Sequence, residues 1–193
     1  MWAPFQRRNQ DWNVQLSNPE AMGPTDVDKI AHELRLAAYL LPAVLSAEPR
    51  ELIKRESPDF EVPLEGGALF AEVVEAVPDA VSESGTMNVA AQRNRPLKSG
   101  TPCVIYRVET ENLAGKIRGV IAEKIRKATQ WVKDDPRLAG KLILLMSTGQ
   151  APMRVFDYFQ NAAQLEQLVP LTSIEPFSAV VLGDETGAYV WRP

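Results

Sequence analysis

The sequence predicts a mixed α/β domain, and three observations carry that expectation. Residues 113–134 place Leu113, Ile117, Val120, Ile121, Ile125, Ala128, Trp131 and Val132 on one helical stripe. Residues 68–77 and 141–147 are runs of β-formers, the second apolar enough for a strand covered on both faces. Apolar segments at 177–182 and 188–191 flank Gly183-Asp184-Glu185-Thr186-Gly187, which reads as a closing hairpin.

The remaining elements follow in chain order. Residues 1–24 carry Pro4, Asn9, Asn13, Asn18, Pro19 and Pro24 without periodicity and are expected to form an irregular arm; residues 25–193 read as a single domain. Thr25 is placed to cap a helix whose first turn holds Asp26 and Asp28, acids that suit the positive end of the helix dipole. That helix carries Ile30, Leu34, Ala37, Ala38 and Leu41, and Pro42 should kink or end it. Residues 51–56 are ambiguous. Glu65-Gly66-Gly67 is a hairpin-type turn, so the strand run after it should pair with the segment before it. Residues 78–101, with Pro78, Gly85, Asn88, Asn94, Pro96 and Gly100, suggest no definite element. Residues 102–108 suit another strand, and residues 155–168 a further helix.

Composition narrows the function. The chain has 193 residues, of which 45% are hydrophobic and 24% charged, the balance of a globular protein with a core rather than of a disordered one. The longest apolar runs are far too short to span a bilayer, and no apolar stretch follows the basic residues near Met1, so neither a membrane nor a secretory signal is expected. One cysteine, Cys103, cannot close an internal disulfide, which suits a reducing, cytoplasmic setting, and it is most simply a core thiol. One histidine, His32, excludes a two-histidine metal motif; beside Glu33 but on another helix face, it reads as surface or structural. Any metal would therefore be a hard cation held by carboxylates. The net charge of −4 is unevenly spread. From Glu48 to Glu83 ten acids face Arg50, Lys54 and Arg55, a net of −7; from Arg93 to Lys133 ten basic residues face Glu109, Glu111 and Glu123, a net of +7. Such blocks suit a divalent cation beside a phosphate-bearing partner, or two solvated faces of a mixed surface.

Two constellations could carry chemistry. Pro58-Asp59 stands thirteen residues before Glu72, and Glu72 lies within a run of β-formers. A hairpin through Glu65-Gly66-Gly67 would bring Asp59 near Glu72, and two converging carboxylates would bind Mg²⁺ or Mn²⁺. The alternative is an edge strand whose acids face water. On the long helix, Lys124 projects within the apolar stripe between Val120, Ile121, Ala128 and Trp131, where an ammonium must snorkel or meet a carboxylate. Lys127 lies at the stripe's edge and is expected to snorkel. Trp131 and Trp191 read as packing residues. Arg93, Arg95 and Lys98 are phosphate-contact candidates in a Gly- and Pro-containing segment, or simply an exposed loop.

In this order, a helix, Pro58-Asp59-Phe60, Ala71-Glu72-Val73-Val74-Glu75, a helix with Lys124 and Lys127, and the strand of residues 141–147 resemble the PD-(D/E)xK restriction-endonuclease-like nuclease superfamily. The resemblance covers roughly residues 26–148 through short motifs. It implies a mixed sheet of four or more strands flanked by helices, and Mg²⁺-dependent (or Mn²⁺-dependent) hydrolysis of phosphodiester bonds. Asp59 matches the motif's aspartate and Glu72 its second acid. Val74 stands where the motif's lysine should be; variants of the superfamily carry that lysine on the following helix, which points to Lys124. Glu33 matches the extra acid that some members contribute from the first helix, or is a solvated helical glutamate. The expected site is thus Asp59, Glu72 and Lys124 for catalysis, Asp59, Glu72 and Glu33 for the metal, and Arg93, Arg95, Lys98 and Lys127 for nucleic acid, in a monomer or homodimer. The competing expectation, supported by Val74 and the net acidity, is an inactive nuclease-like fold that binds nucleic acid or protein. A small-molecule α/β enzyme has less support, because no Gly-rich phosphate loop or nucleophile motif is present.

Overall fold

A computed structural model describes residues 3–4, 13–16, 24–45, 51–76, 79–82, 85–88, 110–148, 159, 161–184 and 187–193. The elements are β1 (Ala3–Pro4), β2 (Asn13–Leu16), α1 (Pro24–Leu40), β3 (Glu51–Lys54), β4 (Phe60–Leu64), β5 (Gly67–Glu75), β6 (Asp79–Ser82), β7 (Gly85–Asn88), α2 (Thr110–Asp134), β8 (Leu142–Ser147), α3 (Ala162–Leu168), β9 (Phe177–Asp184) and β10 (Gly187–Trp191). Short 3₁₀ turns follow α1 at Leu41–Ala43 and α2 at Pro136–Leu138. The fold is α/β, as expected.

Eight strands form one mixed sheet in the order β1-β10-β9-β8-β5-β4-β3-β2. The centre is parallel, β5 with β8 and β8 with β9, while β3-β4-β5 and β9-β10 are antiparallel. Parallel neighbours need a crossover, and α2 and α3 lie in the two connections. Both helices pack on one sheet face: Leu113, Ile117, Ile121, Ala128 and Leu165 meet Phe70, Leu142, Leu144, Met146 and Val180. On the other face Leu36, Ala37, Leu40 and Leu41 meet Ala71, Val73, Ile143, Leu145 and Val181. Alternation along β5 and β8 supplies both cores, and every residue of β8 is buried.

Several expectations need correction. Within the arm of residues 1–24, Ala3–Pro4 and Asn13–Leu16 form the two edge strands, β1 against β10 and β2 parallel to β3, so the backbone of those residues pairs with the sheet. Helix α1 starts at Pro24, whose fixed φ and missing N–H suit a first turn, so Thr25 lies inside the helix instead of capping it. The ambiguous residues 51–56 contain β3, and residues 78–101 contain the β6-β7 hairpin. Of the helix expected over 155–168, residues 155–158 and 160 lie outside the described residues; Ala162–Leu168 is helical, and the Asn161 side chain accepts from Gln164 N at 2.9 Å and caps it. The β4-β5 turn behaves as read: Leu64 pairs with Gly67, and Gly66 takes φ +91°. The strand expected at 102–108, Cys103, Arg93, Arg95 and Lys98 lie outside the described residues.

Candidate functional site

Where the β4-β5 ladder ends, side chains take over from backbone. The last pair is Phe60 with Ala71, but β5 continues to Glu75 because β8 still supports its other edge. Backbone N–H groups beyond the last pair need acceptors. Asp59 Oδ2 accepts from Val73 N at 2.9 Å, and Glu72 Oε2 accepts from Asp59 N at 3.3 Å. The Glu72 carboxylate is thereby locked to the main chain of Asp59, and the Asp59 carboxylate to that of Val73, the residue after Glu72. Both are buried, at 8% exposure for Asp59 and 6% for Glu72.

Two ammonium groups neutralise them. Lys124, from the apolar stripe of α2, reaches Glu72 Oε1 at 2.5 Å, with its side chain 16% exposed. Lys54, from the end of β3, lies 3.0 Å from Asp59 Oδ1, 3.0 Å from Glu33 Oε2 on α1, and 4.9 Å from the centre of the Phe60 ring. The chain Glu33–Lys54–Asp59–Glu72–Lys124 thus joins the helices on opposite faces of the sheet. Each oxygen of Asp59 and Glu72 accepts one hydrogen bond within the protein.

The surroundings set the charge states. Burial pushes the Glu72 carboxyl up, and the charge of Asp59 pushes the same way; Lys124 and the Asp59 N–H only partly offset this. Burial opposes the charge of Lys54, but Asp59 and Glu33 outweigh it and hold that ammonium above its ordinary range. A raised carboxyl is worth stability below the ordinary carboxylate range and loses it as pH rises through the folded value. The stability difference between wild type and Glu72→Gln should therefore shift against wild type as pH rises from acid to neutral. Denaturant titrations of both proteins over that range measure it; a pH-independent difference would mean that Glu72 ionises normally.

The residues expected to form a site are largely brought together. A cavity of about 330 Å³ is lined by Glu33, Asp59, Glu72 and Lys124, with Lys29, His32 and Glu75 at its wall. Glu33 is only 8% exposed, on the buried face it shares with Leu36, Ala37 and Leu40, so the solvated reading is corrected. His32 is partly exposed, with Nε2 3.0 Å from Glu75 Oε1, consistent with a structural residue, and it also lines the cavity. Lys127 sits apart, paired with Glu123 at 2.7 Å one helical turn away. Lys54 escaped notice as a functional residue. Its signal lay in Leu52-Ile53-Lys54: in a strand, Lys54 shares a face with Leu52, which is fully buried.

The donor set suits a hard divalent cation. Carboxylate oxygens are the preferred ligands of Mg²⁺, each keeps a free lone pair, and the Asp59–Glu72 repulsion is what such a cation relieves. Among the described residues, however, no group of three or more His, Cys, Asp or Glu side chains forms a ready metal cluster. Among the same residues no helix is long and apolar enough to cross a membrane. Comparison with protein-family models, with curated proteins and with solved structures finds no match.

Proposed function

We propose that the chain is a Mg²⁺- or Mn²⁺-dependent nuclease that hydrolyses phosphodiester bonds of DNA or another nucleic acid, in the manner of the restriction-endonuclease-like superfamily. The observation that carries this reading is the meeting of Asp59, Glu72 and Lys124 in one pocket, from the bend before β4, from β5 and from α2. Asp59 and Glu72 would hold the cation, with Glu33 completing the acidic wall. When bound, the cation supplies an acidified water and neutralises charge on the scissile phosphate. Lys124 then donates to the phosphate oxygen that gains charge in the transition state, having been held ready by Glu72. Lys54 fixes the Asp59 carboxylate from behind. The reading is tested by plasmid and single-strand cleavage with Mg²⁺ or Mn²⁺ against an EDTA control. Cation-dependent cleavage abolished by Glu72→Ala is the expected result, and its absence in wild type overturns the reading.

A second reading rests on a specific observation. Val74 stands where the resemblance places a lysine, and internal partners already serve every oxygen of Asp59 and Glu72. An ion network satisfied in this way also suits an inactive fold that binds nucleic acid or protein. The two readings part on cleavage. They share an expectation for the basic block: reversing the charge of Arg93, Arg95 and Lys98 should weaken nucleic-acid binding and flatten its salt dependence, because fewer counterions are released. Fluorescence anisotropy across a salt series measures both. Binding indifferent to salt and to these changes would make the block an ordinary solvated surface.

A further inference from the structure

We propose that Lys54 is a positioning residue that takes the place of a second metal ion and limits this site to one divalent cation. The inference rests on the metal-dependent reading above and adds the number of ions. Lys54 is absent from the wall of the cavity and lies behind it, with its ammonium 3.0 Å from both Glu33 and Asp59. The side chain is 14% exposed, and the Phe60 ring covers the ammonium. An ammonium donates three hydrogens and accepts none. Two of them meet carboxylates and the ring takes the remaining side, so nothing is left for substrate.

Charge explains the arrangement. Glu33, Asp59 and Glu72 bring three negative charges to one buried place, where isolated carboxylates are costly. Lys54 cancels one of them permanently from the protein side, whereas Lys29, 3.5 Å from Glu33 Oε1 but with a 70% exposed side chain, only screens Glu33 from the solvent side. The two that remain match one divalent cation, which leaves Lys124 free to turn from Glu72 to a phosphate. Without Lys54 the three acids would carry enough charge for more than one cation, the situation of two-metal sites, whose ions share carboxylates about 3.5–4 Å apart. Glu33 of α1 and Asp59 just before β4, bridged by Lys54, are the pair such an ion would join.

The test counts ions. Mn²⁺ stoichiometry, measured by calorimetry and by electron paramagnetic resonance, should be one for wild type, one for Lys54→Arg, two for Lys54→Met, and one again for Lys54→Met combined with Glu33→Gln. Thermal melts follow the same logic: Mn²⁺ should raise the melting temperature of Lys54→Met more than that of wild type, because the ion replaces a missing charge. If Lys54→Met does not fold alone, Mn²⁺ should fold it. One ion in folded Lys54→Met, or a variant that stays unfolded with Mn²⁺, overturns the role of Lys54 while leaving the nuclease reading intact. Two ions in wild type do the same. Wild type that takes up no Mn²⁺ overturns both.

Discussion

Lys124→Met is expected to slow cation-dependent cleavage by about 10²–10³-fold, the cost of removing one preorganised donor from a developing oxyanion. Methionine keeps the length and apolar character of the stem of Lys124, whose side chain is only 16% exposed and lies one turn from Val120 and Ile121 on α2. Folding should therefore survive, and circular dichroism checks it. The charge that disappears is the one 2.5 Å from Glu72 Oε1. Lys124 is also what pulls the Glu72 carboxyl down against burial and Asp59. Its removal should leave Glu72 protonated to higher pH, so the acid limb of the rate profile should move to alkaline pH. Lys127→Met, which breaks only the exposed pair with Glu123, should change the rate little. Wild-type cleavage by Lys124→Met would end the idea that the lysine has moved to α2, and the inactive binding fold would become the better reading.

Why Lys124 was legible and Lys54 was not is a matter of period. A helix of 25 residues repeats its apolar stripe several times, so one lysine inside it stands out against seven turns of pattern. β3 has four residues, and with period two only Leu52 and Lys54 share the telling face. Two positions make no pattern. Glu33 falls between these cases. The face that buries it runs through Leu36, Ala37 and Leu40, whereas the sequence also offered Ile30, Leu34, Ala38 and Leu41 and so gave a stripe too broad to place one glutamate.

The pairing of Asp59 with Glu72 was readable because a two-residue turn fixes register. Once Leu64 opposes Gly67, Phe60 must oppose Ala71, and Asp59 and Glu72 come next. The exchange of side-chain and backbone hydrogen bonds at that point was not readable. It depends on β5 outlasting β4, which β8 makes possible from a distant part of the chain. The edge strands escaped for a related reason: β1 and β2 have two and four residues, and their ordering comes from the neighbouring strands they complete. Long local patterns and short tight turns carried the reading, and long-range pairing decided the rest.

Leu144→Ala and Leu145→Ala should each cost about 2–5 kcal/mol of folding stability, although the residues are neighbours in one strand. Both are fully buried, Leu144 against α2 and its side of the sheet, Leu145 against α1 and the other. In a sheet covered on one face, one of two adjacent residues would be exposed, and its truncation would cost within about 0.5 kcal/mol. The two cavities here open in separate cores with no shared apolar partner, so the double variant should lose nearly the sum of the single losses. For a chain of this size the melting temperature should fall by about 2–4 °C per kcal/mol. Since domains hold only about 5–15 kcal/mol in total, the double variant should be close to unfolding at room temperature. Denaturant melts of both single variants and the double one decide the matter. A small loss at either position would mean that one face of β8 is open, and the central strand could not then be the wall that carries β5 past the end of β4 to the candidate site.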